Sequence, residues 1–207
     1  MASLSRRSLL TAGLAGLGMA LGAVSGALGA GADHVVADPE GFIEQLGIYA
    51  VEALTGPELP PEERERRFRA MLDQSFDIPT IGRVVLGRYW RTASDAEREE
   101  FLRLFEAFIV KSYAARFVEY SGERFQVHGT RQEKSHVIVH STVFRPTGEA
   151  IRVDWRLRNG DGGFKVIDII IEGVSMVVTQ RADFASAIQS SGGRIAGLLD
   201  LLRRKTR

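Results

Sequence analysis

The 207-residue chain has no cysteine, so thiol nucleophiles, disulfides and zinc–cysteine sites are excluded together. It has almost no excess charge: 27 Lys+Arg stand against 26 Asp+Glu. That balance excludes the basic footprint of a nucleic-acid-binding domain. Arg6 and Arg7 are the only charges in the first thirty residues, and without them the balance is 25 basic to 26 acidic. Histidine is scarce, with four in all. Missing too are an H-E-x-x-H pair, a P-loop lysine signature, a G-x-S-x-G elbow and a G-x-G-x-x-G turn leading from strand to helix. What remains, 44% hydrophobic and 26% charged residues, is the composition of an ordinary globular chain. A disordered chain, a collagen-like fibre and a multi-span membrane protein are excluded with it.

The N-terminus carries an address. Arg6 and Arg7 precede an uncharged, glycine-rich apolar stretch from Leu9 to Ala30, and Ala30-Gly31-Ala32 places small residues where a signal peptidase reads. Residues 1–32 are therefore expected to be a cleaved signal peptide. Ser5-Arg6-Arg7-Ser8-Leu9-Leu10 matches the twin-arginine (Tat) export pattern, with an ordinary Sec signal and an uncleaved anchor as the other readings. Each places the working part, residues 33–207, outside the cytoplasmic membrane.

That part reads as one α+β domain. Phe42, Ile43, Leu46, Tyr49, Ala50, Ala53 and Leu54 recur at helical spacing, and Gly56-Pro57 and Pro60-Pro61 break the pattern. A second helix from Pro61 carries Phe68, Met71, Leu72 and Phe76, with the charged run Glu62 to Arg69 as a solvated face. Asp77 is placed to cap a third helix that Gly87 closes. Ser94-Asp95-Ala96-Glu97 is a capping box opening a long helix with an apolar face from Phe101 to Phe117. Beyond Gly122 the period becomes two, and four strands follow: one through Phe125 and Val127, then Val137–Phe144, Ile151–Leu157 and Phe164–Ile171. In the last of these, Ile167, Ile169 and Ile171 fall on one face and Phe164, Val166 and Ile170 on the other. Asn159 to Gly163 forms the turn between the last two. The tail is helical, Val174–Ile188 and Ile195–Leu202, about Gly192-Gly193. Short connections imply an antiparallel meander of about four strands, curved, with helices on one face.

Residues with chemical potential are few. His136 and His140 share a strand face about 13 Å apart, too far for one metal, and read as surface residues. Asp154, alternating with arginines, reads as plain surface. Asp168 stands in the apolar run Val166 to Ile171, where a carboxylate is costly unless partnered. It reads either as a buried base or as a structural ion pair or cap, for example with an arginine of a neighbouring strand. The aromatic residues Tyr89, Trp90, Phe105, Phe108, Tyr113, Trp155 and Phe164 fit either a filled core or the lining of an apolar cavity.

Three stretches carry a resemblance: Asp77-Ile78-Pro79-Thr80-Ile81-Gly82-Arg83-Val84-Val85-Leu86-Gly87-Arg88-Tyr89-Trp90-Arg91-Thr92-Ala93-Ser94; Glu100-Phe101 with Leu104-Phe105 and Tyr113; and Phe164–Asp168 running into Glu172–Val177 and Arg181–Phe184. Over about Phe42 to Leu202 the chain resembles the toluene-tolerance, or MlaC-like, family of periplasmic phospholipid-binding proteins. The resemblance implies a fold similar to the nuclear-transport-factor-2-like cone, with lipid tails in an apolar pocket and the headgroup near solvent. It implies no catalysis and no cofactor. The implied partners are a phospholipid, an inner-membrane ABC transporter complex with an MCE-type protein, and an outer-membrane lipoprotein complex. Two departures stand out: a twin-arginine leader is unusual for such relatives, and some relatives are associated with hopanoids, which makes a hopanoid-type lipid an alternative cargo.

The inward faces nominate pocket residues. From the helices come Val84, Tyr89, Phe105, Phe108, Ile109 and Tyr113, and from the sheet and the segment after it Val153, Trp155, Ile169, Ile171, Val174 and Met176. Arg83 and Arg88 are nominated for the mouth. Two other functions remain open: an enzyme of the isomerase or dehydratase type with Asp168 as base, assisted by Tyr89 or Tyr113, and a ligand-free envelope adaptor with no internal pocket.

Overall fold

The computed structural model describes residues 38–56, 58–160 and 162–207; the expected signal peptide and His34 lie outside the described residues. Helix α1 (Pro39–Leu54) starts at Asp38, whose carboxylate accepts from the amides of Glu40 and Gly41. It buries Ile43, Leu46, Ala50 and Leu54 along one stripe. Helix α2 (Pro61–Ser75) buries Phe68, Met71 and Leu72. Its charged run is not wholly solvated: Arg64 is buried, donating from Nε to the Leu54 carbonyl at 2.9 Å and from its terminal nitrogen to the Gly56 carbonyl at 3.0 Å. Those bonds satisfy carbonyls that the end of α1 leaves without partners.

Helix α3 (Ile78–Leu86) is capped by Asp77, and a single turn, α4 (Tyr89–Thr92), follows it. The capping box at Ser94 and Glu97 forms in both directions and opens α5 (Asp95–Tyr113). Beyond Tyr113 the expected continuation to Phe117 is a 3₁₀ turn, Ala114–Glu119. Gly82 lets α3 approach α5 closely, since a Cβ there would meet Leu102 Cδ2 at 2.5 Å.

Strands β1 (Arg124–Glu133), β2 (His136–Phe144), β3 (Ala150–Gly160), β4 (Gly163–Ile171) and β5 (Val174–Ser175) form one sheet in that order, each antiparallel to its neighbour. The sheet has five strands, one more than expected, because Val174 belongs to β5 and not to the tail helix. Glu172 (φ 49°) and Gly173 (φ 80°) both have positive φ, the condition of a two-residue type I′ turn, so β4 hairpins into β5. Helix α6 (Met176–Ser190) then begins at Ser175, and α7 (Ile195–Lys205) ends the chain.

Strict alternation fails in β4. Arg156 pairs with Asp168 but Leu157 pairs with Val166, so Ile167 is an extra, bulged residue. The bulge shifts the phase by one. Phe164 and Val166 consequently pack into the same core as Ile169 and Ile171, which period two had put on the opposite face.

The buried apolar residues divide into two cores. The first joins α1, α2 and the end of α5 to the inner sheet face, with Val139, Val143, Val153, Trp155 and Leu157 among its members. The second is helical, built by α3, α5, α6 and α7 around Phe101, Phe105, Phe184 and Leu198. Phe101 and Phe105 stack at 5.6 Å, and Phe184 meets both edge-on at about 6 Å.

Asp77 ties the two together. Its backbone amide donates to the Val166 carbonyl of β4 at 3.0 Å, Oδ1 accepts from the Thr80 amide at 3.1 Å, and Oδ2 accepts from Arg158 Nε of β3. Burial, the largest single influence, pushes the carboxyl pKa up; hydrogen bonds from Thr80 and from Arg158 outweigh it, and the net direction is down. A depressed folded pKa means a contribution fully present above the ordinary carboxylate range and lost as pH falls through the folded value. Asp77→Ala is expected to lower unfolding free energy by about 1–3 kcal/mol at neutral pH. The gap from the native chain should narrow as pH falls below the ordinary carboxylate range, read by denaturant titration at each pH.

Candidate apolar cavity

Where the two cores meet, they do not close. A cavity of about 130 Å³ lies along the seam, walled by both. The sheet side contributes Trp155, Val166, Asp168 and Ile169; α1 and α2 contribute Leu46, Ala50, Phe68, Met71 and Leu72. The helical side contributes Ile78, Ile81 and Val85 from α3, Phe105, Ile109 and Tyr113 from α5, and Met176, Val177 and Gln180 from α6. Phe76 and Phe117 complete it. Tyr113, Asp168 and Gln180 are the only polar side chains among these lining residues, so most of what a ligand meets here is hydrocarbon or aromatic ring.

The floor is held rigid by a polar chain that stays out of the way. Trp155 donates from its indole nitrogen to Ser141 Oγ at 3.0 Å, and Ser141 donates on to the Val153 carbonyl at 2.6 Å. Phe125 meets the indole edge-on at 6.2 Å. The ring is thus fixed on both its polar and apolar sides, leaving its remaining surface to the cavity.

Asp168 is the carboxylate that the sequence singles out, and its partners decide its role. Oδ1 accepts from the Val177 amide at 3.1 Å; Oδ2 accepts from Ser175 Oγ at 2.6 Å and from an Arg156 terminal nitrogen at 3.3 Å. Ser175 Oγ in turn accepts from the Val178 amide at 3.0 Å. Between them, Asp168 and Ser175 satisfy first-turn amides of α6, and the carboxylate sits at the positive end of that helix. It is both an ion pair with a neighbouring strand and a cap. Although Asp168 reaches the cavity wall, its oxygens are occupied by structural donors, which removes the base on which the enzyme reading rests.

Tyr113 has a different character. Burial is the main influence on its phenol and raises the pKa; Arg116 acts in the opposite direction and Asp183 adds to the rise. The hydroxyl therefore stays protonated at neutral pH, a polar tip on an apolar wall. Ile109, Tyr113, Ile169, Met176 and Gln180 are the half-buried members of the wall where α5, α6 and β4 converge. On this stretch the wall comes nearest to solvent.

Of the twelve nominated residues, Phe105, Ile109, Tyr113, Trp155, Ile169 and Met176 lie on the wall. The other six lie elsewhere, each for a visible reason. Val84 is 44% exposed, about 100° around α3 from the buried Val85. Tyr89 lines a separate surface cleft and accepts from Arg88 at 2.8 Å. Phe108 turns into the helical core against Phe184 at 5.9 Å. Val153 and Ile171 are sealed into the sheet core. Val174, on the two-residue edge strand, is 49% exposed. Arg83 and Arg88 are exposed and do not line the cavity. An internal cavity is also what the adaptor reading does not allow. The residues that sequence reasoning missed come mostly from α1 and α2, together with the inner stripe of α3. Their signal, the Phe68, Met71, Leu72, Phe76 stripe, is visible in the sequence but does not distinguish core from cavity wall.

The remaining histidines are on the outer sheet face. His128 Nε2 lies 2.7 Å from Thr142 Oγ1, and His140 Nδ1 lies 2.9 Å from Asp154 Oδ1. Asp154 is accordingly the half-buried partner of His140 and not plain surface. Among the described residues, no helix is long and apolar enough to cross a membrane.

The model of the MlaC protein family matches residues 51–204. The chain belongs to the MlaC family. A curated relative, the intermembrane phospholipid transport system binding protein MlaC of Haemophilus influenzae, is 26% identical over 121 residues. That match covers 56% of this chain and 56% of the relative, so it spans little more than half the relative's length. A solved structure, the phospholipid-binding protein from Ralstonia solanacearum in complex with a phospholipid, has a TM-score of 0.70 at 23% identity, covering 82% of this chain and 97% of that one. That likeness establishes the α+β fold for this member of the family.

Removing the Asp168 carboxylate leaves the Val177 amide and the Ser175 hydroxyl proton without their acceptor, and leaves Arg156 with Glu133 alone. Asp168→Ala is expected to cost about 2–4 kcal/mol of unfolding free energy. Hydrogen exchange should report the loss first in the initial turn of α6.

Proposed function

We propose that this chain is a lipid-binding carrier that takes the acyl tails of a phospholipid into the cavity and leaves the headgroup at the mouth. The observation that carries the reading is the cavity wall itself, hydrocarbon and aromatic except for Tyr113, Asp168 and Gln180. Membership of the MlaC family, the name of the Haemophilus relative and the bound phospholipid of the Ralstonia structure support the same choice of cargo.

The physics suits a carrier. Tail burial contributes about 0.8 kcal/mol per methylene through contacts that have no direction, so affinity tolerates variation in chain length. No proton, electron or metal needs to move. At about 130 Å³ the cavity is smaller than the roughly 300–1,000 Å³ of usual small-molecule sites, so tails enter only as the walls part. The seam between the two cores is the place where parting breaks least, because packing within each core survives. Release then follows from a partner that binds the open state better than the closed one.

In the same reading, residues 1–32 direct export, by the twin-arginine route if Arg6 and Arg7 act as they read, and the domain works in the periplasm. There it exchanges lipid with membrane-bound transport complexes at the inner and outer membranes.

Native mass spectrometry of detergent-free protein is expected to show a co-purified lipid of phospholipid mass. Ile109→Trp, at the mouth, should reduce that occupancy several-fold with the fold unchanged by circular dichroism. Val153→Trp, in the sealed core, should instead destabilise the protein by about 1–3 kcal/mol. An empty native protein, or equal occupancy in Ile109→Trp, would count against the carrier.

A further inference from the structure

The second surface of interest lies at the far end of α6 from the cavity. About half of the arginines of the described residues are held in ion pairs: Arg66 and Arg67 share Glu63, Arg98 meets Asp95, and Arg203 meets Glu100 and Asp200. Around α4 and the α6–α7 connection that pattern stops. Arg88, Tyr89 and Arg91 of one segment face Arg194 of the other across a concave surface cleft of about 640 Å³. Among the described residues Arg91 and Arg194 have no acidic partner, and Arg88 is engaged by the Tyr89 hydroxyl, over whose ring it lies at 4.9 Å. The one carboxylate on the cleft wall, Glu97, is turned back to accept from Ser94 N and Oγ at the start of α5. A smaller depression continues from Arg194 to the exposed Arg204, with Asp200, which pairs with Arg203, on its wall.

We infer that this cleft docks an acidic segment of a partner protein, with carboxylate side chains entering between Arg88, Arg91 and Arg194. Three features favour that occupant over a flat anionic bilayer. The surface is concave, so it receives groups that project. Its cations are guanidinium forks, whose planar paired donors match carboxylates two at a time, whereas a membrane surface needs only positive charge. Arginine and tyrosine side by side are also the residue types that dominate the energetics of protein–protein contacts. In a chain of near-zero net charge, three unneutralised guanidiniums in one cleft are a localised field able to steer an acidic partner. The inference does not depend on what occupies the cavity, since no residue is common to the two linings.

The test uses the mature full-length domain and a fluorescein-labelled peptide of about ten glutamates, followed by anisotropy. Binding to the native protein is expected to weaken at least several-fold between about 20 and 200 mM salt. The double variant Arg91→Glu, Arg194→Glu should bind the peptide at least about tenfold more weakly. Arg152→Glu, on the sheet and outside the cleft, should leave binding unchanged. Both variants should keep native circular dichroism and lipid content. Absence of peptide binding to the native protein, or equal binding by the double variant, overturns the inference. So does binding only to vesicles rich in anionic phospholipid, which would make the cleft a membrane contact.

Discussion

Asp168 fixes where the two halves of the molecule sit. It lies in a strand whose other side chains are mostly apolar, and its two oxygens accept from three donors on three segments: Val177 of α6, Ser175 of β5 and Arg156 of β3. A buried carboxylate without such partners would be too costly to keep. With them, the first turn of α6 is pinned directly beside β4. Asp77 makes the corresponding tie for α3, bonding to Val166 through its amide and to Arg158 through its carboxylate. Two helices of the helical core, α3 and α6, are therefore anchored at the sheet end by polar bonds, and the apolar space between the anchors is left to be filled or not.

It is left partly unfilled, and the geometry explains how. Each core closes on itself, the helical one through its stacked phenylalanines and the sheet one through Trp155, Phe125 and the valines of β2 and β3. Residues at the boundary, such as Phe76 and Ile109, touch both without completing either. A void lined this way loses dispersion contacts that a fully packed interior would have. The deficit is an intrinsic affinity for apolar matter. On the proposed function, a tail inserted along the seam would replace the missing contacts with no specific polar complement.

Much of this was legible in the sequence, for reasons tied to range. The Ser94 capping box, the Asp77 cap and the helical stripes of α1, α2 and α5 depend on residues within one or two turns. Asp168 stands out by polarity in an apolar run, and an arginine of a neighbouring strand is among the partners expected of it, but the choice between base and structural tie needed the structure. The failures are matters of phase and of distance in the chain. The bulge at Ile167 shifts everything N-terminal to it in β4 by one residue, and nothing local marks it. Phe108 sits one residue from Ile109 on α5, yet one packs on Phe184 and the other lines the cavity. A helical face about 100° wide cannot be divided between two cores by periodicity alone. Similarly, Val84 and Val85 are adjacent and equally apolar, but only the approach of α5 and α6 decides which is buried.

The charge balance noted at the outset conceals an uneven distribution. Many of the cations are structural: Arg64 closes the end of α1, Lys165 donates to the last carbonyls of α2, and Arg156 and Arg158 anchor Asp168 and Asp77. Others lie in short helical pairs of small individual worth, such as Arg66 with Glu63. Charges used in these ways contribute little to the external field, because each is offset within a few ångströms. What a partner senses at a distance is the residue of that cancellation, which is why a net charge near zero is compatible with a strongly directional surface. The proposed cargo site and the proposed docking cleft then rest on different physics in one small domain: apolar contact without direction in the cavity, and oriented guanidinium groups at the far end of α6. Salt screens the second and leaves the first nearly untouched, so the two can be adjusted independently.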